Sequence, residues 1–208
     1  MPHRERVRAH LDALRRRRRA IRAGEAATGV RDYAARRAYN EALSRSTADR
    51  AVHLERIHPR LYLSGRGLAH PSRAQPTVCV AGAATTCGYC TAQEQEKGTC
   101  AVVDARDTLE QDESAVRDFA NEGADAIARA LERTKRTKRP VLVHCAMGVN
   151  RSVSAIVAFA TRSGWAPADA IAYVRERNDT VRGLPALSNR LFERVLLATP
   201  PTPPPPTR

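Results

Sequence analysis

The chain has 208 residues, of which 42% are hydrophobic and only 4% aromatic, so it can form one domain of ordinary size with an aliphatic core. Its formal net charge is +13, and residues 1–60 hold 16 Lys and Arg against 7 Asp and Glu, which favours an anionic partner or self-association of the N-terminal part. The charged start and the lack of a long apolar run exclude a secretory signal and a membrane-spanning helix, so we expect a cytoplasmic or nuclear protein without membrane contact.

Residues 2–23 are predicted to form a helix that ends at Gly24, because aliphatic side chains recur at near-heptad spacing and Arg18 takes the one missing position. A second helical stretch is expected over residues 30–43, and Thr47 could cap a third. We interpret residues 1–50 as a basic helical extension whose aliphatic stripe is buried either in a homodimer or against its own domain. The stripe consists of Val7, Leu11, Leu14 and Ile21.

The basic run Arg15–Arg19 has three interpretations. It could be a nuclear address or a nucleic-acid contact, or a docking face for acidic phosphoproteins. It could also be the solvated side of a helix that packs elsewhere.

Alternating strands and helices over residues 52–198 predict an α/β domain with a central, mostly parallel sheet flanked by helices. The all-apolar run at 141–145 indicates a central strand that is covered on both faces. The tail 199–208 is proline-rich and should be disordered or polyproline II. The other predicted elements are a strand pair with a proline-containing turn at 57–65, buried strands at 76–82 and 100–104, a loop at 83–99, and helices at 112–133, 151–163, 167 to about 177, and 186–198.

The stretch HCAMGVNRS at 144–152 follows the predicted central strand and precedes a helix. A loop in this position points successive backbone amides and a helix N-terminus at one point, which suits a phosphate group. These amides and Arg151 would lower the pKa of Cys145 and make it a nucleophile. Arg151 can also grip two phosphate oxygens, and Ser152 can donate to the sulfur. The phosphate would be bound by residues Ala146, Met147, Gly148, Val149, Asn150 and Arg151.

Other interpretations of this stretch are less consistent with it. A nucleotide P-loop would need G-x-x-x-x-G-K-[ST], which is missing. His144 adjoins Cys145 at a strand end, where neighbouring side chains point to opposite faces, so His144 suits a role in fixing the loop by hydrogen bonding better than the role of a protease base. A purely structural buried cysteine does not explain the spacing of Gly148 and Arg151.

HCAMGVNRS resembles the H-C-x5-R-[ST] signature of the protein tyrosine phosphatase superfamily. Over about residues 55–198, the stretches IHPRLYLSG, SVSAIVAFA, ERND and LSNRLFERVL are similar to segments of the dual-specificity phosphatases in that superfamily. The resemblance implies a protein phosphatase that acts on phosphotyrosine and on phosphoserine and phosphothreonine, through a phosphocysteine intermediate and without a metal or cofactor. Cellular members usually have Ser where this chain has Asn150, and the form GVNRS resembles phosphatases of large DNA viruses, which implies a viral protein in the host cell or virion.

Cleavage of a phosphate ester also needs a proton donor for the leaving oxygen. The resemblance places this residue on the loop after the strand that precedes the long helix, where Asp107 in a D-T-x-E context fits best. Asp104 is the alternative, and a solvated loop charge is a further interpretation. Glu110 and Asp112 are better suited to capping the following helix.

The other cysteines allow several interpretations. Cys87 and Cys90 form a C-x2-C pair, and with Cys79 and Cys100 they could bind zinc, although the spacings are irregular. Cys79 and Cys100 could instead be small core residues. Alternatively, Cys100 or another sulfur could trap oxidised Cys145 as a disulfide.

Two rival functions remain at this point. A phosphatase for RNA 5′ ends or phosphoinositides would use the same loop but usually has extra basic residues, where this chain has Ala146, Met147 and Val149. A non-catalytic phosphate-binding module would not need Cys145 and Arg151 together. A nucleic-acid partner is therefore disfavoured but stays an alternative, and phosphorylated proteins are the expected substrates.

Overall fold

The computed structural model describes residues 51–65, 76–81, 90, 92–105, 107, 112–184 and 186–200, together with separate positions between 9 and 38. Within these ranges it contains a sheet and helices on its faces, which confirms the predicted α/β fold. The strands are β1 (Val52–His53), β2 (Leu61–Ser64), β3 (Thr77–Ala81), β4 (Cys100–Asp104) and β5 (Val141–His144). The helices are α1 (Ala92–Glu96), α2 (Glu113–Arg133), α3 (Arg151–Arg162), α4 (Pro167–Arg182) and α5 (Arg190–Leu197).

The five strands lie in the order β1-β2-β5-β3-β4, and all neighbours are parallel except β1 and β2. Strand β5 is central, and all its side chains are buried, as its apolar sequence predicts. At its carboxyl end, His144 is in register with Ser64 of β2 and Cys79 of β3. Open parallel sheets bind ligands beyond the carboxyl ends of their strands, so this register marks the edge where a site is expected.

The long helix α2 covers one face of the sheet and follows the prediction closely. Asp112 caps it by accepting a hydrogen bond from the Ala115 amide at 2.7 Å, which confirms the expected cap. Gly123 allows α2 to approach α3, because an added Cβ would lie 2.5 Å from the Cβ of Ala155. The buried face of α2 includes the predicted residues Val116, Phe119, Gly123, Ile127 and Leu131.

Several element boundaries differ from the predictions. The strand pair starts earlier than residue 57: β1 pairs with β2, and Ile57 lies in the turn, where its amide donates to Leu54 at 3.0 Å. The predicted loop 83–99 contains α1, whose sequence AQEQE consists of good helix formers. Helix α4 continues past residue 177 to Arg182, and Gly183 with its φ of 66° caps its end. Helix α5 starts at 190 rather than 186, because Asn189 caps it.

Every described position between 9 and 38 is helical. The prediction that the first helix ends at Gly24 is wrong, since Gly24 and Thr28 are both helical and the Thr28 hydroxyl donates to the Gly24 carbonyl at 2.9 Å. A single glycine costs a helix only about 1 kcal/mol relative to alanine, and the surrounding sequence is alanine-rich. Of the predicted stripe, Ile21 is half-buried. The remaining residues of these predictions, Val7, Leu11, Leu14, Arg18 and Thr47, lie outside the described residues, as do 201–208.

A disulfide joins Cys90 to Cys100, and the buried Cys79 packs against it. The sequence does not predict this pair, because a separation of ten residues gives no signal by itself. The disulfide engages two of the four sulfurs considered for zinc, while Cys87 lies outside the described residues. Among the side chains that the structure describes, no group of three His, Cys, Asp or Glu could hold a metal ion. None of the described helices has the length and hydropathy needed to cross a bilayer.

Candidate active site

The loop from Cys145 to Asn150 connects the central strand β5 to the first turn of α3. Gly148 has a φ of 65°, and a Cβ there would collide with the Ser64 carbonyl and the Arg182 guanidinium. Only glycine therefore allows this turn of the backbone. The loop closes over the carboxyl edge of the sheet, where the register of β5 indicated a site.

The Cys145 side chain is 3% exposed and lies inside this loop. The Gly148 amide and the Ser152 hydroxyl each lie 3.2 Å from its Sγ and donate hydrogen bonds to it. Burial raises the pKa of the Cys145 thiol, but the Arg151 charge and the donors of Ser152 and Val149 outweigh burial and lower the pKa from 9.0 to about 7. A large fraction of Cys145 is therefore thiolate at neutral pH.

Arg151, the first residue of α3, lies beside this sulfur. Its Nη1 donates to the Ala105 carbonyl at 3.2 Å, which anchors the guanidinium to the residue after β4. Its Nε is buried and has no hydrogen-bond partner among the residues that the structure describes. A buried donor without a partner is costly, and an oxygen of a bound anion would satisfy it.

Asp107 is connected to the loop through two asparagines. Its Oδ2 accepts from Asn150 Nδ2 at 3.0 Å, and its Oδ1 accepts from Asn189 Nδ2 at 3.2 Å. Asn150 Oδ1 in turn accepts from the Asn189 amide at 3.2 Å and from the Ser188 hydroxyl at 3.4 Å. We call Asp107, Asn150, Ser188 and Asn189 the asparagine network. It ties the candidate acid to the candidate phosphate-binding loop.

The other residues that the sequence offered for the site differ in position and exposure. His144 is 1% exposed at the end of β5. Asp104 is the exposed last residue of β4, Asp112 caps α2, and Glu110 lies outside the described residues. Ala146, Met147 and Val149 belong to the loop itself.

Two residues in contact with the loop were missed from the sequence. Asn189 both caps α5 and bonds to Asp107. Arg182 is 2% exposed and donates to the carbonyls of Met147 and Gly148. For Arg182 a signal existed: it continues the i, i+4 series of Val174 and Asn178, so a helix extended to Gly183 places this arginine on the buried face.

The site consists of a thiolate cysteine inside an amide-lined loop that joins a central parallel strand to a helix, with an arginine at the start of that helix. This arrangement defines a cysteine-dependent phosphatase of the protein tyrosine phosphatase superfamily. The family model described as "Dual specificity phosphatase, catalytic domain" matches residues 77–194. The chain belongs to this family.

Individual relatives resemble parts of the chain. The human protein phosphatase Slingshot homolog 2 is 31% identical over 93 residues, which is 40% of this chain and 6% of that protein. The chain thus spans only a small part of the length of this curated relative. Among solved structures, human DUSP28 is 22% identical over 70% of this chain and 89% of its own, with a TM-score of 0.49. The human tyrosine phosphatase-like serine/threonine/tyrosine-interacting protein is 21% identical over 67% of this chain and 90% of its own, also with a TM-score of 0.49.

Proposed function

We propose that this chain is a protein phosphatase that hydrolyses phosphotyrosine, phosphoserine and phosphothreonine through a phosphocysteine intermediate. The observation that carries the proposal is the buried Cys145 sulfur, which accepts two hydrogen bonds and whose pKa is lowered to about 7. A stabilised thiolate is the form of cysteine that attacks phosphorus.

In the first step, the Cys145 sulfur attacks phosphorus as the bond from phosphorus to the ester oxygen breaks. The carboxyl group of Asp107 gives its proton to that leaving oxygen, so the product leaves as a neutral alcohol or phenol. The loop amides and Arg151 stabilise the oxygens around phosphorus. The free Nε of Arg151 supports this role, since it would then gain an acceptor.

In the second step, water attacks phosphorus and the Asp107 carboxylate takes a proton from it. The sulfur–phosphorus bond breaks, and the Ser152 hydroxyl, 3.2 Å from the sulfur, stabilises the departing thiolate. Inorganic phosphate leaves and the enzyme returns to its starting state. His144 is assigned to fixing the loop rather than to proton transfer, in line with its burial within the sheet.

We also propose a division of the chain into a basic helical extension at 1–50, the catalytic domain at 52–198 and a proline-rich tail at 199–208. Helical positions before residue 38 and the first strand at Val52 support the first boundary. The extension would mediate homodimer formation or attract acidic phosphoproteins, and the proposed location of the chain is the cytoplasm or nucleus.

The test compares the purified wild type with Cys145→Ser on phosphotyrosyl, phosphoseryl and phosphothreonyl peptides and on an RNA 5′-triphosphate. We expect hydrolysis of the peptides by the wild type and none by Cys145→Ser, which should still bind phosphate because most of the loop's donors are backbone amides. Cys79→Ala is the matched control, since Cys79 is a buried cysteine that packs against the Cys90–Cys100 disulfide. Appreciable hydrolysis by Cys145→Ser, or turnover of the RNA substrate alone, would refute the proposal.

A further inference from the structure

Arg182 is a fully buried arginine directly behind the phosphate-binding loop. Its Nη2 donates to the Met147 carbonyl at 2.7 Å, and its Nη1 donates to the Gly148 carbonyl at 3.1 Å. Nη1 also donates to Asn178 Oδ1 at 3.2 Å, which fixes the guanidinium from its own helix. A planar fork can bridge two successive carbonyls in this way, whereas a lysine ammonium cannot match its geometry.

These two bonds determine which way the peptide groups of the loop point. Because Arg182 holds the Met147 and Gly148 oxygens on the side of α4, the amides of the same segment face the opposite side, where Cys145 lies. The Gly148 amide is indeed the donor to the Cys145 sulfur. Without the arginine, the carbonyl oxygens of Met147 and the buried Gly148 would lose these hydrogen bonds, and the loop would lose the contacts that fix this orientation.

Arg182 also brings a buried positive charge whose compensation is incomplete. Among the described residues, no carboxylate forms an ion pair with it. Burial lowers the pKa of Arg182 to about 10, while the Cys145 thiolate raises it, so the guanidinium stays charged at neutral pH. Its position at the last turn of α4 satisfies part of the charge through the helix dipole. The remaining compensation is the negative charge at the centre of the loop.

We propose that Arg182 is a positioning residue of the active site, which holds the loop amides toward the phosphate and supplies positive charge behind the Cys145 thiolate. This inference rests on the proposed phosphatase function and assigns a residue outside the signature sequence to it. The charged groups that act on the sulfur are Arg151 of α3 and Arg182 of α4. His144 precedes Cys145 in the chain, and Asp107 reaches the loop only through Asn150.

The two contributions can be separated by substitution. Arg182→Gln removes the charge but keeps an amide donor, so the pH midpoint of Cys145 alkylation should rise by about one pH unit, the lower end of the effect of a nearby opposite charge. Arg182→Lys keeps the charge but loses the fork. Its midpoint should stay near that of the wild type, while protection by inorganic phosphate should weaken about fivefold, as expected for about 1 kcal/mol of lost hydrogen bonding.

The experiment measures iodoacetamide modification of Cys145 by mass spectrometry across a pH series, with and without inorganic phosphate, after far-UV circular dichroism has verified folding. Arg175→Gln is the matched control, because Arg175 lies on the same helix and also donates to two main-chain carbonyls, of Ala186 at 3.2 Å and Leu187 at 3.4 Å. This control should leave both readouts unchanged.

A folded Arg182→Gln protein with the midpoint of the wild type would overturn the inference. If the glutamine variant does not fold, the lysine variant decides, and unchanged phosphate protection in it would equally overturn the inference. Alkylation reports on the thiolate without requiring turnover. A wild type with a low midpoint that hydrolyses none of the phosphopeptides would therefore refute the proposed function and leave the assignment of Arg182 standing.

Discussion

Replacing Ser152 with alanine removes a hydroxyl whose Oγ lies 3.2 Å from the Cys145 sulfur. Ser152 is fully buried, so no bulk water can take the place of this donor. The hydroxyl stabilises the charged form of the sulfur, and its loss must therefore raise the pKa of Cys145. Because alanine is only slightly smaller than serine, the surrounding helix α3 should remain packed.

The size of the effect follows from the hydrogen bond. A hydrogen bond to a charged group contributes about 1.5–3 kcal/mol, and about 1.36 kcal/mol corresponds to one pKa unit. At the lower end of that range, the pKa of Cys145 should rise from about 7 to about 8. At pH 6 the thiolate fraction then falls from about one tenth to about one hundredth, so alkylation should slow about tenfold. Well above pH 9 both proteins should react at similar rates.

The assay follows the rate of iodoacetamide modification of Cys145 between pH 5 and pH 10 under otherwise constant conditions. Ser154→Ala is the control: Ser154 is buried two residues further along α3, but its hydroxyl donates to the Asn150 carbonyl at 3.0 Å instead of to the sulfur. The reasoning is refuted if Ser152→Ala and Ser154→Ala give the same midpoint. Under the two-step mechanism, Ser152→Ala should also accumulate phosphocysteine, because the thiolate becomes a poorer leaving group.

Three further predictions concern the acid, the packing of the helices and the extension. Asp107→Ala should slow hydrolysis of esters with poor leaving groups by about 10²–10⁴-fold and affect activated aryl phosphates far less. Steady-state rates over a leaving-group series measure this difference. If Asp104→Ala shows this dependence instead, the choice of acid is wrong. Gly123→Ala should lower the free energy of unfolding in urea by about 1–3 kcal/mol, because the new methyl group would lie 2.5 Å from the Ala155 side chain of α3. Gly24→Ala is the control and should not destabilise the fold, since an added Cβ there has nothing within 4 Å. Equal stability of the two variants would contradict the close packing of α2 on α3. Removal of residues 1–50 should convert a dimer to a monomer in light scattering at micromolar concentration, and an unchanged mass would show that the extension does not cause association.

The core of the site could be predicted from sequence because it is local in the chain. Cys145, Gly148, Arg151 and Ser152 lie within eight residues, and their spacing matches one strand–loop–helix arrangement. The same applies to the strands, since uninterrupted apolar runs such as Val141–Val143 have few alternatives to a buried central position. Locality also explains the Asp112 cap, which depends on contacts within three residues.

Residues that contact the site from a distance could not be predicted in the same way. Arg182 meets the Met147 carbonyl across 35 residues, and Asn189 meets Asp107 across 82. The i, i+4 spacing places Arg182 on the buried face of α4, but it does not indicate which loop the arginine contacts. Helix α4 extends beyond the predicted boundary at about residue 177, since the polar residues Asn178 and Arg182 are buried and make contacts that the sequence does not reveal. The disulfide between Cys90 and Cys100 is likewise a contact that only the fold brings together.

The asparagine network affects the order in which the parts of the site can form during folding. The nucleophile and its amide donors arise from one continuous segment, but Asp107 meets Asn150 and Asn189 only when distant parts of the chain have come together. Under the proposed mechanism, a chain whose last helix has not yet docked would have a reactive sulfur while Asp107, the proposed proton donor, is not yet held in place. Such an intermediate would be open to oxidation and alkylation before it could turn over a poor leaving group. Docking of α5 is therefore the event that fixes Asp107 relative to the phosphate-binding loop.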